Sequence, residues 1–119
     1  MNNRQPESLN SLLEKVAEYI QTIQSGFDAY QNECFDKRLP QFFCLELNGE
    51  AGELANLEKK SWKGKDVPFD RFEDEAADVM IALLNYSNSK GIELGKAVYN
   101  KLVRIENKRA LLESKGEKY

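Results

Sequence analysis

The chain has no histidine, and its two cysteines, Cys34 and Cys44, are not spaced as a Cys-x-x-Cys pair. Without histidine there can be no Ser/His/Asp or Cys/His nucleophile, and no Glu-x-x-His pair of the kind that builds di-iron sites in helical bundles. Zinc sites, which draw on Cys or His, are disfavoured on the same ground. None of the seven glycines falls in a P-loop or dinucleotide-binding pattern, so any grip on phosphate must come from metal and basic side chains. No apolar run approaches the length of a membrane span, and no membrane partner is expected. The N-terminus, Met1-Asn2-Asn3-Arg4-Gln5, lacks the apolar core of an export signal. Both thiols are therefore expected to be free and reduced, and the expected compartment is the cytoplasm. A formal net charge of −3 gives no electrostatic reason to expect a nucleic-acid polymer as partner. Strand-like alternation, internal repeats and low-complexity tracts are missing as well.

What the sequence does contain is helical periodicity. Its 119 residues suit one domain, and 41% of them are hydrophobic, enough for a core but lean for a lone helical unit. Leu9, Leu12, Leu13, Val16, Tyr19, Ile20, Ile23 and Phe27 recur at helical spacing, which predicts a first helix starting near Ser8 or Ser11. The polar stretch from Phe27 to Leu39 reads as a fraying helix end followed by a loop. Pro40 sits where a second helix would begin, and the apolar pattern continues to about Lys60. Gly64, Asp66 and Pro68 mark a break. A third helix is predicted from about Phe69 to Asn88, with Lys90-Gly91 as its C-terminal cap. A fourth follows from about Glu93, and the charged tail from Glu113 to Tyr119 reads as frayed. Phe42, Phe43 and Tyr19 are predicted to be core. The predicted class is all-α with four helices.

Two pairs of carboxylates stand out against this background. Glu50/Glu53 and Glu75/Asp78 are each spaced i,i+3, on one face of a helix, with twenty-one residues between the pairs. Asp78 opens an otherwise apolar run from Val79 to Leu84, and Leu47, Leu54 and Val79 flank the carboxylates. Two like charges about 4 Å apart repel by roughly 4 kcal/mol at an effective dielectric near 20, before desolvation is counted. A divalent cation is the simplest way to offset that cost. Carboxylate oxygens alone suit a hard ion, so Mg²⁺ is expected, with Mn²⁺ able to substitute. Mg²⁺ is usually held together with substrate phosphates, which turns attention to phosphate chemistry. The two helices are joined by a short turn and should run antiparallel, letting the pairs face each other.

From Gln41 to Arg109 the chain resembles the all-α nucleoside triphosphate pyrophosphohydrolases of the MazG type, which include dCTP pyrophosphatases and dimeric dUTPases. The resemblance is carried by Gly49-Glu50-Ala51-Gly52-Glu53-Leu54-Ala55, by Glu75-Ala76-Ala77-Asp78-Val79, and by Gly91-Ile92-Glu93-Leu94 before the last helix. Gly49 stands where many members of the family have a first glutamate, a form similar to the dCTP pyrophosphatase branch. The resemblance implies a four-helix MazG-like bundle completed by homo-oligomerisation, as a dimer or tetramer. It also implies Mg²⁺ held by Glu50, Glu53, Glu75 and Asp78, and cleavage of a (deoxy)nucleoside triphosphate between its α- and β-phosphates.

Glu50 is the favoured base, because the glycine before it leaves space for a water. Glu46, one turn earlier, could add a carboxylate. Lys101 and Arg104, with Lys108, are the candidates for phosphate; Asn100-Lys101 and Arg104 partly match the family pattern, and a solvated basic face accounts for them equally well. Trp62 and Asn85 are the candidates for the base, against an intersubunit packing role for Trp62 and a structural hydrogen bond for Asn85. Two other readings stay open: phosphoribosyl-ATP pyrophosphohydrolase, which shares the fold and the bond cleaved, and a non-catalytic helical dimer that binds metal or nucleotide.

Overall fold

The computed structural model describes residues 5–119. Residues 1–4, part of the stretch Met1–Gln5 read above for an export signal, lie outside it. The described residues form four helices and no strand: α1 (Glu7–Cys34), α2 (Pro40–Trp62), α3 (Phe69–Lys90) and α4 (Leu94–Ser114). None of the four is long and apolar enough to cross a membrane.

The largest departure from expectation is the length of α1. It runs through the polar stretch to Cys34, leaving only residues 35–39 as a connection to α2. No proline interrupts residues 27–34, and propagating a formed helix adds one hydrogen bond per residue, so amphipathic patterning need not extend as far as the helix does. The helix also starts earlier than Ser8 or Ser11. Pro6 turns the chain in, its carbonyl accepting from the N–H groups of Leu9 and Asn10, each at 3.1 Å. Pro40 occupies the first turn of α2 behind an extended Leu39, where a missing N–H is no loss. At the end of α3, Gly91 adopts φ 77°, and Ile92 N–H donates to Ser87 O at 2.8 Å, closing the helix with a Schellman motif.

The helices group into two compact units, one of residues up to Ser25 with Glu93–Tyr119, the other Gly26–Ile92. In the first, Leu13 and Val16 are buried. The N-terminus of α4 has no side-chain cap from Glu93. Instead Leu94 N–H donates at 3.0 Å to Oε1 of the buried Gln24, which satisfies one of the helix's otherwise orphaned donors. Just beyond, Gly95 lies against the backbone of Ala17: a Cβ at Gly95 would stand 2.6 Å from the Ala17 carbonyl oxygen. Glycine is required there by closeness of approach.

In the second unit α2 and α3 pack against each other. Phe43 shares a cleft with Asn85, while Glu50 meets Asp78 and Glu75, so rising numbers on α2 oppose falling numbers on α3 and the pair is antiparallel. Phe43 and Leu57 from α2 and Ala82 and Leu84 from α3 are its buried apolar side chains. Of the three aromatics expected in the core, only Phe43 is there. Successive helical residues point about 100° apart, so Phe42 cannot share its neighbour's face. It stays 39% exposed, with the Arg38 guanidinium over its ring at 4.7 Å from the centroid, and Tyr19 stays 55% exposed.

Candidate metal centre and an adjoining cleft

Antiparallel pairing of α2 with α3 is what brings the acidic residues together. Glu50, Glu75 and Asp78 each offer a carboxylate oxygen, and these oxygens all lie within 4.8 Å of one another. All three residues are half-buried. Glu53, one turn along α2 from Glu50, is exposed and adjoins the cluster at Glu75. The four carboxylates thus form a continuous set, three of them convergent and the fourth at the margin. Glu46 is not among the convergent residues; it lines a neighbouring cleft.

Among the described residues no cation makes an ion pair with the cluster. The ion pairs formed among the described residues join Arg109 to Glu106 and Glu113, on α4. Oε2 of Glu50 and Oε2 of Glu75 are shielded from solvent, and no donor reaches either. Crowded carboxylates respond by holding protons. A hydrogen bond to Glu50, then desolvation, raises the Glu75 carboxyl above the ordinary glutamate range. A hydrogen bond to Glu75, then the charge of Glu75, raises Glu53, while the positive charge of Arg71 opposes this only weakly. A group of hard oxygens, converging from two rigid helices and lacking any positive neighbour within bonding reach, fits a divalent cation such as Mg²⁺.

A pH dependence follows from these shifts. The folded chain holds protons on Glu75 and Glu53 more tightly than the unfolded chain does, so their contribution to stability is fully present below the ordinary glutamate pKa of about 4.3. It is lost as pH rises through the raised values. Thermal melts in EDTA across this range should show stability falling with rising pH from these two groups. With saturating Mg²⁺ the trend should weaken or reverse, because the ion binds the ionised form. Identical profiles with and without the ion would remove the case for a metal site.

Beside the cluster, toward the N-terminus of α2, two clefts of about 320 and 280 Å³ adjoin. Both are lined by Gln31, Arg38, Phe43 and Asn85. Asn85 is where the heptad spacing from Asp78 places it, on the face of α3 toward α2. Its Oδ1 is shielded from solvent and meets no donor. Gln31 and Arg38 were invisible as site residues in the sequence because their stretch has no periodicity and reads as a loop.

The remaining candidates lie elsewhere. Trp62 is 85% exposed in the last turn of α2, twelve residues past Glu50, or about 18 Å along the helix at 1.5 Å per residue. It lines neither cleft. Lys101 and Arg104 are exposed on α4, in the other unit, and form no ion pair among the described residues; the Lys108 ammonium sits over the Tyr119 ring at 5.0 Å. No protein-family model, curated protein or solved structure matches this chain.

Proposed function

We propose that the protein is a magnesium-dependent nucleoside triphosphate pyrophosphohydrolase of the MazG type, cleaving a (deoxy)nucleoside triphosphate to the monophosphate and pyrophosphate. The observation that carries this is the convergence of Glu50, Glu75 and Asp78 from two antiparallel helices, with two shielded oxygens that no donor reaches. A scaffold gains nothing from such an arrangement, since it is destabilising until a cation neutralises it.

In this reading Glu50, Glu75 and Asp78 hold the metal, and Glu53 adds a ligand from the margin. When bound, Mg²⁺ (or Mn²⁺) would supply charge neutralisation for the pyrophosphate leaving group and acidification of water. Glu50 would accept the proton of a water attacking the α-phosphorus, with the bond from the α-phosphorus to the bridging oxygen breaking and its electron pair leaving on pyrophosphate. Lys101 and Arg104 are the phosphate-binding candidates on the family-like pattern of Asn100-Lys101 and Arg104 alone.

A homo-oligomer belongs to the same proposal. Leu12, Tyr19, Ile23 and Tyr30 recur along α1 at spacings of 7, 4 and 7 and are each at least 41% exposed, an apolar stripe that suits packing against a second copy. The test of function is incubation of the purified protein with Mg²⁺ or Mn²⁺ and each canonical NTP and dNTP, with products separated by ion exchange. Monophosphate plus pyrophosphate in equal amounts is expected. Diphosphate plus inorganic phosphate would place the cleavage elsewhere, and no product from any nucleotide would count against hydrolysis.

A further inference from the structure

We propose that the turn joining α2 to α3 docks on an anionic membrane surface, with Trp62 and Phe69 entering the headgroup layer inside a collar of lysines. The proposal stands apart from the hydrolase reading and uses none of the residues assigned there. No helix is long and apolar enough to cross a membrane, and a surface contact needs none.

Charge is the first observation. Four of the chain's 17 Lys and Arg residues, Lys59, Lys60, Lys63 and Lys65, fall within residues 59–65, which hold none of its 20 Asp and Glu residues. The net charge of −3 is therefore an average over a positive spot on an otherwise acidic chain. Glu58, Asp66 and Asp70 border the run, and Arg71 adds a further cation beside them. None of the four lysines is in an ion pair among the described residues. The helix dipole favours lysines at the end of α2, but it gives no reason for the apolar groups that accompany them.

Those groups are the second observation. Trp62 is 85% exposed and Phe69 75%, the two highest values for large hydrophobic side chains among the described residues. They are the last residue of α2 and the first of α3, and antiparallel packing puts both at the same end of the pair. Exposed Pro68 lies between them. An aromatic ring at headgroup depth, with lysine ammonium groups reaching lipid phosphates, is the composition of a membrane-surface contact. The backbone that carries them is set in advance. Gly64 adopts φ 87°, its N–H donates to Ser61 O at 3.0 Å, and Lys65 N–H donates to Lys60 O at 3.0 Å. This Schellman motif holds Lys60 and Lys65 together across the turn, so little backbone freedom is lost on docking.

Shape and charge together favour a flat surface over a nucleic-acid strand. A plane meets only the end of the hairpin. Glu53, the metal-cluster carboxylate nearest to it along α2, precedes Trp62 by nine residues. That is about 14 Å along a helix at 1.5 Å per residue, beyond the screening length of about 8 Å at physiological salt. A strand long enough to extend past the tip meets the acidic flanks of both helices, where Glu53, Glu73 and Asp74 are exposed.

Trp62 is the only tryptophan, so its fluorescence reports on this turn alone. The full chain in EDTA is titrated with vesicles of phosphatidylcholine, alone or mixed with phosphatidylglycerol, and binding is followed by Trp62 emission and by co-sedimentation. Mixed vesicles should bind and shift the emission to the blue, and phosphatidylcholine alone should bind at least tenfold more weakly. One lysine near an anionic surface strengthens binding roughly fivefold, so Lys63→Gln with Lys65→Gln should weaken co-sedimentation at least tenfold. Trp62→Ala should weaken it severalfold. All three positions are exposed, so both variants should keep the wild-type melting temperature. Lys115→Gln with Lys118→Gln removes the same charge from the exposed tail and should change binding less than twofold. No binding to mixed vesicles, equal binding to both kinds, or equal losses in the turn and tail variants would overturn the proposal. So would a blue shift that appears with protein concentration alone, which would mean that a second copy covers the turn. Trp62 quenching by an oligothymidylate at higher affinity than the vesicles would assign the turn to nucleic acid instead. Nucleotide turnover decides none of these outcomes, so the hydrolase reading and the docking surface fail separately.

Discussion

Replacing Glu75 with glutamine is expected to lower magnesium-dependent turnover by about 10²–10³-fold, the range seen when one preorganised electrostatic contact is removed from a reacting centre. Glu75 is the member to change because it belongs to the convergent trio and also adjoins Glu53 at the margin. The substitution keeps shape and polarity and removes one negative charge. In the absence of metal that charge is a liability, so the variant should be at least as stable as the wild type in EDTA. With saturating Mg²⁺ the order should invert, since the wild type gains RT ln(1 + [L]/Kd) and the variant gains little. Melting temperatures of both proteins with and without the ion give four numbers, and crossing of the two pairs is the signature of a metal ligand. A variant destabilised under both conditions would mean that Glu75 is structural. One with unchanged Mg²⁺ stabilisation and unchanged turnover would remove Glu75 from the site.

Gly95→Ala is expected to destabilise the protein by about 1–3 kcal/mol, the usual cost of forcing extra volume into a close contact. Alanine is the better helix former by about 0.5–1 kcal/mol, so propensity alone predicts the opposite sign. The contact wins because the obstacle is backbone. The added Cβ would meet the Ala17 carbonyl oxygen at 2.6 Å and its Cα at 3.1 Å, and no side-chain rotation relieves either. Relief requires the α4 start to move away from α1, which also pulls Leu94 N–H from the Gln24 amide at 3.0 Å. Gly26→Ala is the control: it too lies in a helix, an added Cβ would meet nothing within 4 Å, and it should gain stability. If thermal or urea unfolding gave both variants the same sign, the tight approach at Gly95 would be disproved.

Those two positions show what can and cannot be read along the chain. Gly91 was legible as a C-cap because a left-handed residue after a lysine-terminated apolar pattern is a local requirement. Gly95 was not, because nothing within a few residues of it calls for a glycine; the reason is Ala17, on another helix. The helices themselves followed from apolar spacing, Pro40 and the Gly64–Pro68 break, which are local signals. α1 outran its prediction where local signals stop, since a helix once started continues through polar residues that carry no pattern.

The acidic residues divide the same way. By itself the sequence determined their pairing at i,i+3, the hardness of any metal they would hold, and the four-helix class. Tertiary structure alone decided that Glu50, Glu75 and Asp78 converge while Glu53 stands at the margin, and that Gln31 and Arg38 meet Asn85 and Phe43 around a cleft. Periodicity reports which face of a helix a residue occupies, but the partner on that face is set by how two helices register against each other, and that depends on side chains far apart in the chain.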